Sequence, residues 1–205
     1  MIVADFRILS YIRSFINIVV YLLIKDKSKI NADIERYLES YGITPHGKNN
    51  YIKELVYCSK RSREFLNVFY FRTAWYLGRY HLLSICKTIY PPKQTIGFRI
   101  DEQNLGKGLF IQYGDSTIIH AHEIGDNLTV YQNVTIGDSG KGYPIIGNNV
   151  TICTGAIVLG PIHIGDGSVI GANATIVKDV PANSVIIPAK QRMIKLNGNP
   201  VNLAF

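Results

Sequence analysis

Two imidazoles two residues apart are the groups in this chain best suited to move a proton near neutral pH: His120 and His122, in Ile118-Ile119-His120-Ala121-His122-Glu123, with the carboxylate Asp115 a few residues before them. Histidine is the side chain whose ordinary pKa lies in that range, so the pair suits general acid or base work. A lone histidine more often serves structure. No histidine or cysteine spacing in the chain matches a metal site, and none is expected.

The elements that must hold these groups announce themselves by rhythm. From Ile124 onward an aliphatic residue returns every sixth position through Val130, Ile136, Ile146, Ile152, Val158, Ile164, Ile170 and Ile176. Neither a 3.6-residue helix nor an alternating strand makes this pattern. Hexad repeats predict a parallel β-helix in which each hexad is one flat wall, its aliphatic residue points inward, and Gly or Asn turns the corner. His122 falls where Leu128, Val134, Val150 and Ala156 stand in their own hexads, an unusual slot for a polar ring. The rhythm slips twice. Between Ile136 and Ile146 it gains four residues, which predicts a loop thrown out at Asp138-Ser139-Gly140-Lys141-Gly142-Tyr143-Pro144; upstream, one extra residue near Thr117 puts Ile118 in phase as the inward residue. Loops on a rigid solenoid commonly carry binding groups.

Before the column, residues 31 to about 90 predict helices. Asn31 is read as the cap of the first, Tyr51 to Cys58 and Glu64 to Ile89 follow, and Pro91-Pro92 closes the segment. The aromatic residues Phe65, Phe69, Tyr70, Phe71, Trp75, Tyr76 and Tyr80 fall at helical spacing, which favours a packed core over a base-stacking surface. Ile8 to Ile24 is strongly apolar but interrupted by Arg13 and Asn17, so it is read as a packing helix, with peripheral membrane contact the alternative. No signal-peptide cleavage site follows it. The expected organisation is α+β: a helical domain over 1–93, a parallel β-helix over 94–188 and a C-terminal tail over 189–205.

At 205 residues and 47% hydrophobic, the chain has the material for a sizeable core. Lys and Arg outnumber acids 22 to 15, a surplus that suits nucleic acid, a membrane surface or a phosphate-bearing cofactor. No nucleic-acid motif accompanies it, so the cofactor ranks first and no nucleic-acid partner is expected. Cys58, Cys86 and Cys153 are scattered, as free thiols in a reducing cytoplasm would be.

Gly108-Leu109-Phe110-Ile111-Gln112-Tyr113-Gly114, Val130-Tyr131-Gln132-Asn133-Val134-Thr135-Ile136-Gly137, Ile170-Gly171-Ala172-Asn173-Ala174 and Val177-Lys178-Asp179-Val180-Pro181 together resemble the serine acetyltransferases of the hexapeptide acyltransferase superfamily, over roughly residues 30 to 200. The resemblance implies a left-handed column, a homotrimer with higher assembly through the N-terminal helices, and acetyl-CoA as co-substrate for a small-molecule hydroxyl. It also implies that Thr154 and Ala172 meet the pantetheine arm through their backbone, and that Lys178, Lys190 and Arg192 are the basic groups available to the CoA phosphates, a solvated basic face being the alternative. Where the family has a catalytic His followed by Gly, this chain has Tyr113-Gly114. Arg99 stands where the family places an acid, and Lys141 and Tyr143 occupy the loop where an Arg-His pair would hold the serine carboxylate. The reading that follows is O-acetyl transfer, to serine or to a saccharide hydroxyl, with a base moved to His120 or His122, or with Tyr113 and Asp115 keeping a binding role. A catalytically impaired binding or assembly module is the third possibility.

Overall fold

The computed structural model describes residues 2–46, 50–76, 97–100 and 104–204. Four helices come first: α1 (Ile2–Leu23), α2 (Ser28–Ser40), α3 (Tyr51–Arg61) and α4 (Arg63–Tyr76). No helix among the described residues is long and apolar enough to cross a membrane. Helix α2 starts earlier than its sequence suggests. Its cap position is Lys27, which makes no side-chain capping bond, while Asn31 lies inside the helix and accepts the Tyr21 hydroxyl at 2.8 Å. Helices α3 and α4 are separated by Ser62, whose extended backbone stops the first and whose Oγ accepts the Phe65 N–H at 2.9 Å to start the second. The expected continuation to Ile89 lies outside the described residues beyond Tyr76.

The strands are short, as six-residue walls require: β1 (Arg99–Ile100), β2 (Phe110–Ile111), β3 (Ile118–Ile119), β4 (Glu123–Ile124), β5 (Thr129–Val130), β6 (Thr135–Gly137), β7 (Ile145–Ile146) and β8 (Thr151–Ile152). They continue with β9 (Ile157–Leu159), β10 (His163–Ile164), β11 (Val169–Ile170), β12 (Thr175–Ile176) and β13 (Val185–Ile186). Three parallel sheets form the walls of the column, in the orders β1-β3-β6-β9-β12, β10-β7-β4 and β13-β11-β8-β5-β2. Ile124, Val130, Ile136, Ile146, Ile152, Val158, Ile164 and Ile170 all point into the column, each at most 2% exposed. The corners are left-handed backbone at Asn127, Asn133, Asn149, Asn173 and Asn183. Asparagine tolerates that conformation.

One phase assignment is corrected. Ile118 is 43% exposed and Ile119 is fully buried, so the inward residue of β3 is one position later than the sequence reading has it. Ile119 lies eight positions after Ile111 and Ile124 five after Ile119, against six for a regular wall; an enlarged corner is offset by a shortened one. The same shortening moves His122 out of the buried slot. Ala121, 3% exposed, fills it, and the imidazole is turned to the surface. The last residues carry order not assigned to a tail, an antiparallel hairpin of β14 (Arg192–Leu196) and β15 (Asn199–Ala204).

The helices sit on the first coil. Tyr37 packs edge-on against Phe65 and Phe110 at 5.2 and 4.8 Å, and Phe65, Phe69 and Tyr70 are buried, which makes the described part of the aromatic set a core. Asp33 and Arg72, both buried, form a two-pronged pair at 2.9 and 3.2 Å. Arg72 also donates to the carbonyls of Leu105 (3.0 Å) and Gly106 (2.5 Å), and Asp33 accepts the Leu109 N–H at 2.8 Å. Cys58 is fully buried in the helical core, and burial pushes its thiol up to about 12. Since the thiolate is the reactive form, alkylation at pH 8 should modify half-buried Cys153 first and Cys58 only after denaturant is added. Peptide mapping by mass spectrometry checks this, and prompt labelling of Cys58 in the native protein would contradict it.

Candidate active site

The chain passes from the β2-β5-β8-β11 wall to the β3-β6-β9-β12 wall along one edge of the column, and that edge carries Tyr113, Asp115, Thr154 and Ala172. Its backbone is stacked: Asn133 N–H donates to the Asp115 carbonyl (2.9 Å), Gly155 N–H to Gln132 (3.1 Å) and Asn173 N–H to Thr154 (2.9 Å). Gly155 has φ +70, and a Cβ there would lie 2.3 Å from Asn173 Oδ1, so the spacing of this edge depends on glycine. Tyr113 takes a left-handed φ of 59 and is 60% exposed. Its phenol therefore stands out from the corner rather than in the core. The Asp115 carboxylate is bound by Arg63, which also holds Glu64 at 2.7 Å; Glu64 in turn accepts the Ser62 hydroxyl at 3.0 Å. The two carboxylates, Glu64 foremost, keep the Arg63 guanidinium protonated.

The opposite edge of the β3-β6-β9-β12 wall carries the imidazoles. His120 follows β3, the extruded loop follows β6, Gly160 and Pro161 follow β9, and Lys178 and Asp179 follow β12. The loop is held by its own first residue, for Asp138 Oδ1 accepts the N–H groups of Gly140 (2.7 Å) and Gly142 (2.8 Å). These amides, Gly142 first, hold its carboxyl below the usual range, with His120 a smaller contributor. The fold of the loop lays the Tyr143 ring on His120, with centroids 3.9 Å apart and planes 28° from parallel. His122 N–H donates to the Pro144 carbonyl at 2.8 Å, and the residue borders a cleft of about 430 Å³ with Tyr143, Ile145, Pro161, His163 and Asp179. Asp179 Oδ1 accepts the His163 backbone N–H at 2.8 Å. Lys141 is exposed at the loop tip.

The sequence-derived candidates thus divide between two edges of one wall. Tyr113, Asp115, Thr154 and Ala172 lie on one, and His120, His122, Lys141, Tyr143 and Lys178 on the other. Lys190 and Arg192 belong to neither; both are exposed beyond the last coil, Arg192 opening the terminal hairpin. Arg99 lies on β1 beside Ile118, at the start of the wall between the edges. Among the described residues no group of three or more His, Cys, Asp or Glu side chains is placed to hold a metal ion. Sequence reasoning missed Arg63 and Glu64, whose link to Asp115 spans 52 positions and leaves no local signal. It also missed Tyr37, whose hydroxyl accepts the Ile111 N–H at 3.1 Å and donates to its carbonyl at 3.2 Å, fixing the strand just before Tyr113. Burial drives that phenol well above its ordinary pKa, which keeps the donor in place.

The pattern described as bacterial transferase hexapeptide (six repeats) matches residues 143–178. Serine acetyltransferase from Bacillus pumilus is 41% identical over 103 residues, 48% of this chain and 48% of that protein. The enzyme of the same name from Helicobacter pylori J99 is 43% identical over 95 residues, 44% of this chain and 56% of the other. The chain spans about half the length of the curated relatives it matches. Among solved structures, the soybean serine acetyltransferase apoenzyme superposes with a TM-score of 0.58 at 25% identity, over 80% of this chain and 67% of that one. The fold is a left-handed parallel β-helix behind an α-helical region, residues 143–178 carry the hexapeptide-repeat pattern, and about half of the chain is similar to serine acetyltransferases.

Proposed function

We propose that the protein is an acetyl-CoA-dependent O-acetyltransferase, with serine the nominal acceptor. The observation that carries this reading is the wall of the column bordered by a stacked backbone edge at Thr154 and Ala172 and by an imidazole edge at His120 and His122. A serine acetyltransferase from Brucella abortus has been solved with coenzyme A, which supports the same co-substrate here. In the reaction, a base takes the proton of the acceptor hydroxyl as its oxygen bonds to the thioester carbon. The carbon–sulfur bond then breaks and the proton ends on the CoA sulfur. His120 or His122 serves as the base. Tyr113, a phenol whose ordinary pKa is about 10, lies on the other edge of its own wall, so in this proposal it orients the acceptor or the developing oxyanion where its edge meets the imidazole edge of a neighbouring column. Thr154 and Ala172 line the pantetheine, and Lys178, with Lys190 and Arg192, is offered to the phosphates. We further propose a homotrimer, with CoA between neighbouring columns, acting in the cytoplasm.

A saccharide hydroxyl is the second acceptor, favoured because Tyr143, in the loop where a serine carboxylate clamp is expected, is committed to His120. The test is calorimetric titration with CoA, joined to release of CoA thiol from acetyl-CoA in the presence of serine. Binding with serine-dependent release is the expected result. Binding without release on serine would move the assignment to another acceptor, and no binding at millimolar CoA would reject the enzyme reading in favour of a binding or assembly module.

A further inference from the structure

The helical side of Tyr113 opens into two adjoining cavities of about 370 and 360 Å³ that share Arg61, Ser62 and Glu64. The first is bordered by Gln112 and Tyr113, the second by Lys60 and Arg63. The charges around them are unequal. Glu64 and Asp115 are both spent on Arg63. Arg61 instead lies over the Tyr41 ring, 4.8 Å from its centroid and 6.0 Å from that of Tyr57, and Lys60 lies 4.9 Å over Tyr11. Among the described residues neither has a carboxylate partner. Cation–π contact steers a guanidinium without consuming its N–H donors, so Arg61 is held in place with its fork available. A planar guanidinium with no carboxylate partner, beside a second cation, is a site for a phosphate or carboxylate.

We infer that the acceptor is an anionic hydroxyl compound, a sugar phosphate or a uronic or other hydroxy acid, whose anion seats on Arg61 with Lys60 and whose hydroxyl points toward Tyr113. This rests on the acetyltransferase reading and narrows its acceptor class. It also supplies an anion clamp on the helices in place of the Arg-His pair that the loop at 140–144 does not contain.

The experiment is calorimetric titration of the full chain, in the presence of CoA, with glucose 6-phosphate, glucuronate and glucose as probes. Both anions are expected to bind at least about 10-fold more tightly than glucose, and their order tells phosphate from carboxylate as the preferred group. Arg61→Gln should remove about 10-fold or more of the anion affinity while leaving CoA binding and the melting temperature unchanged, and Arg61→Lys should restore part of it. Equal affinity for all three probes, or anion binding indifferent to Arg61→Gln, overturns the inference. Turnover is scored separately with acetyl-CoA. Arg61-dependent anion binding without acetyl transfer to any probe would leave the anion site standing and remove the reaction assigned to it.

Discussion

His120→Ala should lower kcat by about 10²–10⁴-fold with CoA affinity little changed, the usual contribution of a general base. His120 is singled out because the Tyr143 ring lies on its face, with centroids 3.9 Å apart. His122→Ala, at the exposed rim of the cleft, is the matched control and should cost less. Tyr113→Phe removes only an orienting hydroxyl and should cost about 10-fold or less. Rates of acetyl-CoA consumption under saturating acceptor decide the order. If His122→Ala costs more than His120→Ala, the base is His122. Should Tyr113→His create serine acetyl transfer that the natural chain lacks, the base was lost at position 113 and did not move. Equal rates in the parent and all three removal variants would reject every catalytic role assigned here.

Arg72→Met should destabilise the fold by about 3–5 kcal/mol, the range for leaving one partner of a buried ion pair alone. The variant strands the Asp33 carboxylate and frees the carbonyls of Leu105 and Gly106 at the mouth of the column. Burial already raises the Asp33 pKa, with Arg72 and the amides of Leu109 and Gly108 pulling it back. Without Arg72 the folded state keeps a proton on Asp33 that the unfolded chain releases above about pH 4. Folding then binds a proton, so stability falls as pH rises, and the gap to the parent should widen from pH 5 to pH 8. Urea denaturation at both pH values measures it. Asp33→Leu with Arg72→Met should recover most of the loss, because the uncompensated charge is gone. A single variant within about 1 kcal/mol of the parent would show that the pair contributes little to the junction.

The column was legible because its side-chain period is tied to its backbone. Each coil repeats the same three walls, so a residue such as Ile152, predicted inward by phase alone, is fully buried. Where that coupling breaks, the reading slips by one residue. Ile118 and Ile119 have the same chemistry, and only the compensating change of corner length before and after them decides which faces the core. The candidate site was legible in part. His120 and His122 are near each other in sequence and remain on one edge, whereas the bond from Arg63 to Asp115 joins a helix start to a β-corner across 52 positions. No periodicity encodes it. The helical region was legible in kind and blurred at its ends, for α2 begins without a side-chain cap and so leaves no cap signature.

The first coil of a parallel column is an open sheet edge, a row of backbone donors and acceptors able to pair with any other extended chain. Here that row is occupied by side chains at Leu105, Leu109 and Ile111. Lys29 donates to the Leu105 carbonyl at 2.7 Å beside Arg72, Asp33 accepts from Leu109, and Tyr37 both accepts from and donates to Ile111. The helices therefore act as a stopper against edge-to-edge growth, and a column released from them would present to its neighbours a template for cross-β polymerisation.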